Sequence, residues 1–459
     1  MYRTALNLKR LLLILGDLIM LQAALLATLW LRYGTTTDQI WQQHQLPFTI
    51  VSLMWVVGLF VTGLYDLTKA RNNVTFFRTF LEGMFVNLLI AFAFFYLIPA
   101  FGIAPRGNLL LYFAIALLLV YAWRLLFNKY LSRGLFRNRL LYVGPSEDAM
   151  LISELLRGHP LGFELCAVIH TTPRTSRDTA NVRWEERLTA LETIMTEERI
   201  NAIVLGHSLE TLPELRDALY RTLYFSTALI DRKELEETLT GRVPVAMVTK
   251  AWFLEHLRES EKTWYEGLKR ALDVVLAIPF GLLTLSLIPL AALVIKLSSA
   301  GPVFYAQDRV GKGGKNIKIW KFRTMHRDAE INGPQFTSSA KTDPRLFWAG
   351  RIMRQLRLDE LPQIWNVLRG DLSFIGPRPE RPEFVGPLME RMPYYSLRHL
   401  TRPGLTGWAQ IQLLTPTASL EDNLKKLQYD LYYIKHRSLL LDLAILLKTI
   451  GIVLRRQGT

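Results

Sequence analysis

Four apolar runs, at about 11 to 31, 47 to 65, 79 to 100 and 108 to 128, occupy the first third of this chain, and each is long enough to cross the hydrocarbon layer of a bilayer. With no water there to satisfy the backbone, such runs can only be helices, so this part of the chain folds as a four-helix transmembrane bundle. The first run has no small-residue cleavage site and is followed by further runs, so it is expected to stay in the membrane. Arg3, Lys9 and Arg10 precede it, Lys69, Arg71 and Arg78 lie between the second and third runs, and Arg124, Lys129, Arg133, Arg137 and Arg139 surround the end of the fourth. The loops near 33 to 46 and 101 to 107 carry few positive charges, so the N-terminus and everything after about residue 130 are expected on the cytoplasmic side.

The net charge of +15 in a chain that is 50% hydrophobic points to cytoplasmic loops, anionic lipid and phosphorylated substrates. No nucleic-acid motif accompanies it. The single Cys166 excludes an internal disulfide framework, and the eight His residues show no metal-ligand spacing.

The pattern then changes to alternating strands and helices. Leu140 to Gly144, Ala167 to Ile169, Ala202 to Gly206 and Thr227 to Ile230 read as strands, and 185 to 199 as a helix, which predicts a Rossmann-like parallel sheet over about 136 to 255. The turn Gly144-Pro145-Ser146-Glu147-Asp148-Ala149 has one glycine where a dinucleotide fingerprint has three, so a structural or regulatory domain is expected there, without bound NAD.

A fifth apolar segment, 271 to 297, precedes the most informative motifs. Basic residues flank both ends, Lys269 and Arg270 before it and Lys296 in its last turn, so both ends read as cytoplasmic. Pro279 and Pro289 interrupt it, and a Pro-kinked hairpin that enters one leaflet and returns reconciles its length with that topology; a true fifth span is the alternative. Near the C-terminus, Asp442, Thr449 and Arg456 recur at intervals of seven in Leu439 to Arg456 and leave a broad apolar face, which suits a helix lying on the membrane surface or against the core.

Asp359 and Glu360 stand immediately before Leu361-Pro362, a sequence that opens a helix, and Gly370 is placed to end it. A plain capping role is the ordinary reading of two such carboxylates. Their surroundings argue for more, since Lys312, Lys315, Lys321, Arg323, Arg354, Arg357 and Arg378 supply positive charge nearby, and Arg378 sits on a stiff turn between Pro377 and Pro379. Carboxylates, a phosphate and a divalent cation can meet at such a point.

The ordered set Asp308-Arg309-Val310-Gly311-Lys312, Lys318 to Met325, Leu358-Asp359-Glu360-Leu361-Pro362-Gln363, Gly376-Pro377-Arg378-Pro379 and Arg402-Pro403-Gly404-Leu405-Thr406-Gly407 resembles the bacterial polyprenyl-phosphate hexose-1-phosphate transferases, the monotopic phosphoglycosyl transferases. The resemblance is strong over roughly the last 200 residues, and the layout before it looks like the long members of that family. It implies a mostly helical catalytic domain over 256 to 459, a re-entrant helix kinked at a proline, here Pro289, and the 1 to 135 bundle as a membrane anchor. It also implies a reaction: Asp359 attacks the β-phosphorus of a UDP-sugar, UMP leaves, and the phosphosugar passes from Asp359 to undecaprenyl phosphate. Glu360 then takes the role of Mg²⁺ binding with Asp359 beside it, although the sequence does not exclude the two exchanging roles. Arg378, Lys321, Arg323, Lys312 and Arg357 become the phosphate-binding cations. The implied setting is the bacterial inner membrane, with the catalytic domain facing the cytoplasm at the start of exopolysaccharide, capsule or O-antigen synthesis; a homo-oligomer is compatible with it. Two other readings are a membrane-anchored nucleotide-sugar dehydratase, whose Tyr-x-x-x-Lys spacing Tyr265 and Lys269 match, and a non-catalytic membrane scaffold.

Overall fold

The computed structural model describes residues 2–34, 37–65, 74–97, 106–131, 138–156, 163–173, 182–207, 213–222, 227–257, 262–327, 329, 331, 343–414, 417 and 419–454. It divides into two compact units, 1–235 and 236–459. Lys69, Arg71, Arg133, Arg137 and Arg456, used above as topology or surface charges, lie outside the described residues.

The first unit begins with four helices that are long and apolar enough to cross a membrane: α1 (Tyr2–Tyr33), α2 (Asp38–Val61), α3 (Val74–Leu97) and α4 (Arg106–Leu126). The second of them starts well before the expected run, with Pro47 inside it, so most of the expected 33 to 46 loop is helix. Trp55, Tyr112, Phe48 and Phe80 fill the interior, while Ile19, Leu53, Leu89 and Leu118 face outward, as a bilayer solvent favours. Arg124 differs from its expected place among loop charges. It is 1% exposed inside the bundle, donating to both carboxylate oxygens of Asp17 and to the carbonyl of Leu64. Tyr65 donates to the same carboxylate. A cation at membrane depth is costly unless paired, and this one is satisfied on every side.

Next come β1 (Asn138–Gly144), α5 (Ser146–Leu156), β2 (Phe163–His170), β3 (Arg183–Glu185), α6 (Leu191–Glu197), β4 (Ala202–Leu205), α7 (Pro213–Arg221) and β5 (Ala228–Asp231). The five strands form one parallel sheet in the order β3-β2-β1-β4-β5, the Rossmann-like arrangement read from the sequence. The expected helix over 185 to 199 is shorter, because Arg183-Trp184-Glu185 joins the sheet edge and α6 starts only after a 3₁₀ turn. A three-residue polar edge strand carries no apolar alternation by which to recognise it.

α8 (Arg232–Thr240) leads into the second unit, which continues with α9 (Lys250–His256), α10 (Thr263–Ser298), the antiparallel hairpin of β6 (Phe304–Val310) and β7 (Asn316–Phe322), and α11 (Trp348–Gln355). It is completed by α12 (Ile364–Arg369), β8 (Ser373–Ile375), α13 (Pro382–Arg391), β9 (Gly404–Thr406), α14 (Trp408–Gln412), α15 (Leu420–His436) and α16 (Leu439–Leu454). The segment 236 to 255 packs with this unit and not with the sheet it was grouped with in the sequence. Glu237 accepts from Lys435 and His436, and Val243, Val248 and Phe253 pack with Tyr395, Leu427 and Leu431.

The segment expected as a hairpin, 271 to 297, lies within a single helix. α10 starts earlier, at Thr263, and keeps Pro279 and Pro289 within it. Proline costs a helix one hydrogen bond, a loss that membrane helices tolerate when neighbouring groups compensate. Lys269, Asp273, Ala277, Gly281, Thr284 and Ile295 face the core, while Val275, Leu282, Leu285, Leu290 and Leu293 face outward. Both ends are fastened to the same core. Arg270 donates to the carbonyls of Val367 and Leu368 at one end, and Arg323 donates to those of Ser299 and Ala300 just past the other.

α16 packs in the same inverted sense. Its polar residues turn inward, Asp442 accepting from Tyr265 (2.7 Å), Lys269 (2.7 Å) and Tyr433 (2.8 Å), and Thr449 bonding Thr406 (2.8 Å). Its Leu440 is 77% exposed, and Leu443, Ile450 and Val453 are exposed beside it. The helix packs on the core, the second of the two sequence alternatives, and its other face is apolar and exposed. Because Asp442 is the carboxylate in direct contact with the buried Lys269, Asp442→Leu should cost about 3 kcal/mol, read as a lower unfolding midpoint in detergent, and adding Lys269→Met should recover most of the loss.

Candidate active site

The two carboxylates lie in a 3₁₀ turn, Leu358–Gln363, that runs directly into α12, and Gly370 ends that helix with φ +97° as its sequence position predicts. The turn begins strained. Arg357, immediately before it, takes φ +55°, a left-handed conformation that non-glycine residues adopt at a cost. A tight turn of three residues per rotation sends adjacent side chains in different directions, and Asp359 and Glu360 consequently meet different surroundings.

Glu360 is enclosed by cations. Lys321 on β7 donates to its Oε1 at 3.1 Å, Arg378 donates to the same oxygen at 2.9 Å, and Arg357 stands 4.0 Å from Oε2. Burial opposes ionisation here, but these three charges outweigh it and hold the carboxyl well below the usual range. Asp359 is 7% exposed and makes no ion pair among the described residues. Burial first and the charge of Glu360 second push its carboxyl up to about 6, with Lys321 and Arg354 pulling the other way.

Arg378 owes its position to the turn around it. The carbonyls of Pro377, Arg378, Pro379 and Glu380 accept in succession from Gly404 N, Arg398, Arg309 and Val310 N, at 2.9 to 3.2 Å. Arg398 is itself held by Asp430 at 2.8 Å. Gly376 and Gly404 cross so closely that a Cβ on either would overlap the backbone of the other segment, which explains the glycines of both motifs. These supports, Arg309, Arg398 and Asp430, went unassigned in the sequence, where nothing relates positions so far apart.

The structure thus gathers Asp359, Glu360, Lys321, Arg357 and Arg378. Arg323 is not among them: one residue past β7, it spends its guanidinium on the end of α10, where the carbonyls of Ser299 and Ala300 lack helical partners. Lys312 is exposed on the turn between β6 and β7 and makes no bond to the carboxylates. Tyr265 and Lys269 both end on Asp442, and this tie between α10 and α16 accounts for their spacing without catalytic work. Among the described residues no group of three or more His, Cys, Asp or Glu could hold a metal by itself. The donor set here, two adjacent carboxylates in a cationic setting, fits Mg²⁺ only in company with phosphate oxygens and water, which is how that ion is commonly bound at phosphoryl sites.

The match to proteins of known family follows this geometry. The family model described as bacterial sugar transferase covers residues 264–456. A UDP-glucose:undecaprenyl-phosphate glucose-1-phosphate transferase of Xanthomonas campestris is 30% identical over 399 residues, 80% of this chain and 78% of that protein. The chain belongs to the bacterial sugar transferase family. A UDP-N-acetylgalactosamine-undecaprenyl-phosphate N-acetylgalactosaminephosphotransferase of Aeromonas hydrophila is 41% identical over 49% of the chain, and a UDP-glucose:undecaprenyl-phosphate glucose-1-phosphate transferase of Escherichia coli is 42% identical over 40%. The chain spans only about half, 52%, of the first of these two and 39% of the second.

A second family model, described as CoA-binding domain, covers residues 61–221. A nucleotide diphosphate on such a sheet lies beyond the strand ends where the order reverses, here between β1 and β4. That place is filled by Tyr142. A Cβ on Gly144 or Gly206 would collide with its phenol oxygen, and the hydroxyl donates to Asp148 at 3.3 Å, which pairs in turn with Arg232. The residues do not fit a coenzyme A or dinucleotide diphosphate there. Coenzyme A or NAD at about ten times a typical millimolar-range Kd should leave the unfolding midpoint of the full-length protein unchanged, and a clear rise would contradict this.

Asp359→Asn tests the burial of that carboxyl. Its folded value near 6 exceeds the unfolded value near 3.9, so the ionised group costs stability above pH 6 and the cost vanishes as pH falls below both. The variant should be more stable than wild type at pH 8, on the order of 3 kcal/mol, and equal to it near pH 3, as followed by thermal unfolding.

Proposed function

We propose that the second unit transfers a sugar 1-phosphate from a UDP-sugar to undecaprenyl phosphate, releasing UMP and leaving undecaprenyl-diphosphate-sugar. The observation that carries this reading is a buried Asp359, without an ion pair among the described residues, beside a Glu360 held ionised by Lys321, Arg378 and Arg357. In the first step a carboxylate oxygen of Asp359 bonds to the β-phosphorus while the bond from that phosphorus to the oxygen bridging to UMP breaks. In the second, an oxygen of the lipid phosphate bonds to the same phosphorus and the carboxylate departs. Desolvation raises the basicity of Asp359, and a value of about 6 leaves it mostly ionised at neutral pH. Arg378, fixed by its turn, and Lys321 offset the charge that two phosphorylated substrates bring together. Mg²⁺, when bound through Glu360 and Asp359, would add to that neutralisation.

The relatives named above act on UDP-sugars and undecaprenyl phosphate, which supports the same substrates here. The outward apolar faces of α10 and α16 support a catalytic unit seated in one leaflet of the bacterial inner membrane, facing the cytoplasm, where nucleotide sugars are found. An exopolysaccharide production protein of Rhizobium leguminosarum, 39% identical over 40% of this chain, supports a place at the start of surface-polysaccharide assembly.

Membranes containing the protein, given undecaprenyl phosphate and a panel of radiolabelled UDP-sugars with Mg²⁺ or EDTA, test the reading. A lipid-linked product is expected, with equimolar UMP, loss of at least 10³-fold in Asp359→Asn, and a rate that falls as pH drops through about 6. Full activity in Asp359→Asn would remove the proposed nucleophile.

A further inference from the structure

The β6–β7 hairpin brings more than Lys321 to the carboxylates. Side chains alternate between the two faces of a strand, and residues directly across an antiparallel pair share a face. Tyr305 pairs with Lys321, Gln307 with Ile319 and Arg309 with Ile317, so these side chains lie on one face. That face covers the site. Ile317 and Ile319 pack with Val367 and Leu372, Lys321 bonds Glu360, and Arg309 donates to the carbonyl of Pro379, next to Arg378, at 3.2 Å. Tyr305 and Gln307 therefore stand between Lys321 and the Arg378 turn, and the chemistry proposed above uses neither. Tyr305 is 40% exposed, and the Cβ atoms of such a pair are about 5 Å apart, so its ring borders the space that Lys321 reaches across. Phe304 and Trp320 are exposed to a similar degree but belong to the opposite face. Gln307 is half-buried, and its Oε1 accepts from Arg309 at 2.7 Å. A guanidinium only donates, so this bond fixes the amide against rotation, and the amide nitrogen, turned the other way, makes no bond among the described residues.

An exposed ring, a fixed N–H donor two residues along the same face and cations beside both match a nucleobase tethered to phosphates. The ring supplies a stacking surface that any base can use, and the amide supplies the discrimination. Where uracil presents a carbonyl, cytosine presents an amino group, and a donor that Arg309 prevents from turning can bond only the first. We propose that Tyr305 stacks on the uracil of the donor while the amide nitrogen of Gln307 donates to its C4 carbonyl, so that the hairpin selects a uridine nucleotide. This rests on the transferase reading above and adds the residues that read the base. The hexose ring and a lipid chain are the other occupants that an exposed tyrosine accepts, and inhibition by UMP, which carries neither, separates them from the base.

Full-length protein in membranes, assayed with the UDP-sugar that serves as donor, tests this through inhibition by UMP and by CMP. Tyr305→Leu keeps an apolar side chain for lipid but removes the stacking face. Its inhibition constant for UMP and its KM for the donor should both rise about 5-fold or more, with kcat changing less, and Tyr305→Phe should recover most of the loss. Gln307→Glu keeps the oxygen that Arg309 uses and exchanges the donor for an acceptor, which repels the uracil carbonyl and accepts from the amino group of cytosine. The added charge weakens both nucleotides alike, so the readout is their ratio: the preference for UMP over CMP should fall about 10-fold or more. UMP inhibition within about twofold of wild type in Tyr305→Leu would overturn the proposal, including the case in which KM alone rises and the ring serves the hexose or the lipid. An unchanged UMP-to-CMP ratio in Gln307→Glu would overturn it as well. A wild-type protein that uses no UDP-sugar would overturn this reading and the transferase reading together, whereas unchanged variants of an active enzyme overturn this one alone.

Discussion

The charge balance at Glu360 is the constraint on which the site depends. An ionised carboxylate out of water is expensive, and only close cations make it stable. Lys321 from the β6–β7 hairpin and Arg378 from the proline-flanked turn both reach one oxygen of Glu360, so three separate stretches of chain are tied at a single atom. Asp359 lies one residue away and has no such partner, and the charge held on its neighbour makes its own ionisation harder. Two adjacent acids are thereby driven in opposite directions, one kept ionised and one made basic, which is how a pair of like groups acquires different tasks.

Much of this was legible where function is local in sequence. The acid pair before a Leu-Pro, the glycine that ends α12 and the arginine between two prolines each follow from backbone preferences of single residues. What the sequence hid was long-range. Lys321 and Arg323 are two apart and read alike in the sequence as phosphate-binding cations, but β7 ends at Phe322 and Arg323 turns to the free carbonyls beyond α10. Arg124, adjacent to the loop charges, reads as one of them until Asp17, more than a hundred residues earlier, is found beside it.

The membrane reverses one rule of sequence reading. On a soluble helix, polar residues repeating at seven mark the outer face; on α16, Asp442 and Thr449 mark the inner one, and leucines take the surface. α10 follows the same logic, with Lys269, Asp273 and Thr284 turned to the core and an aliphatic face turned away. On the reading that lipid is the outer solvent of these helices, hydrogen bonding holds the elements together and apolar surface is left free.

The turn that carries Arg378 has no slack. Four consecutive carbonyls are bonded to groups from β6, β9 and the 3₁₀ turn at Tyr395–Leu400, which are distant in sequence. Ordering of the guanidinium's base is therefore completed once, when the chain folds, and is not repeated at each catalytic cycle. On the proposed transferase reading, only the side chain beyond that base remains to be arranged when a phosphate arrives, which confines the entropy lost on binding to a few rotatable bonds.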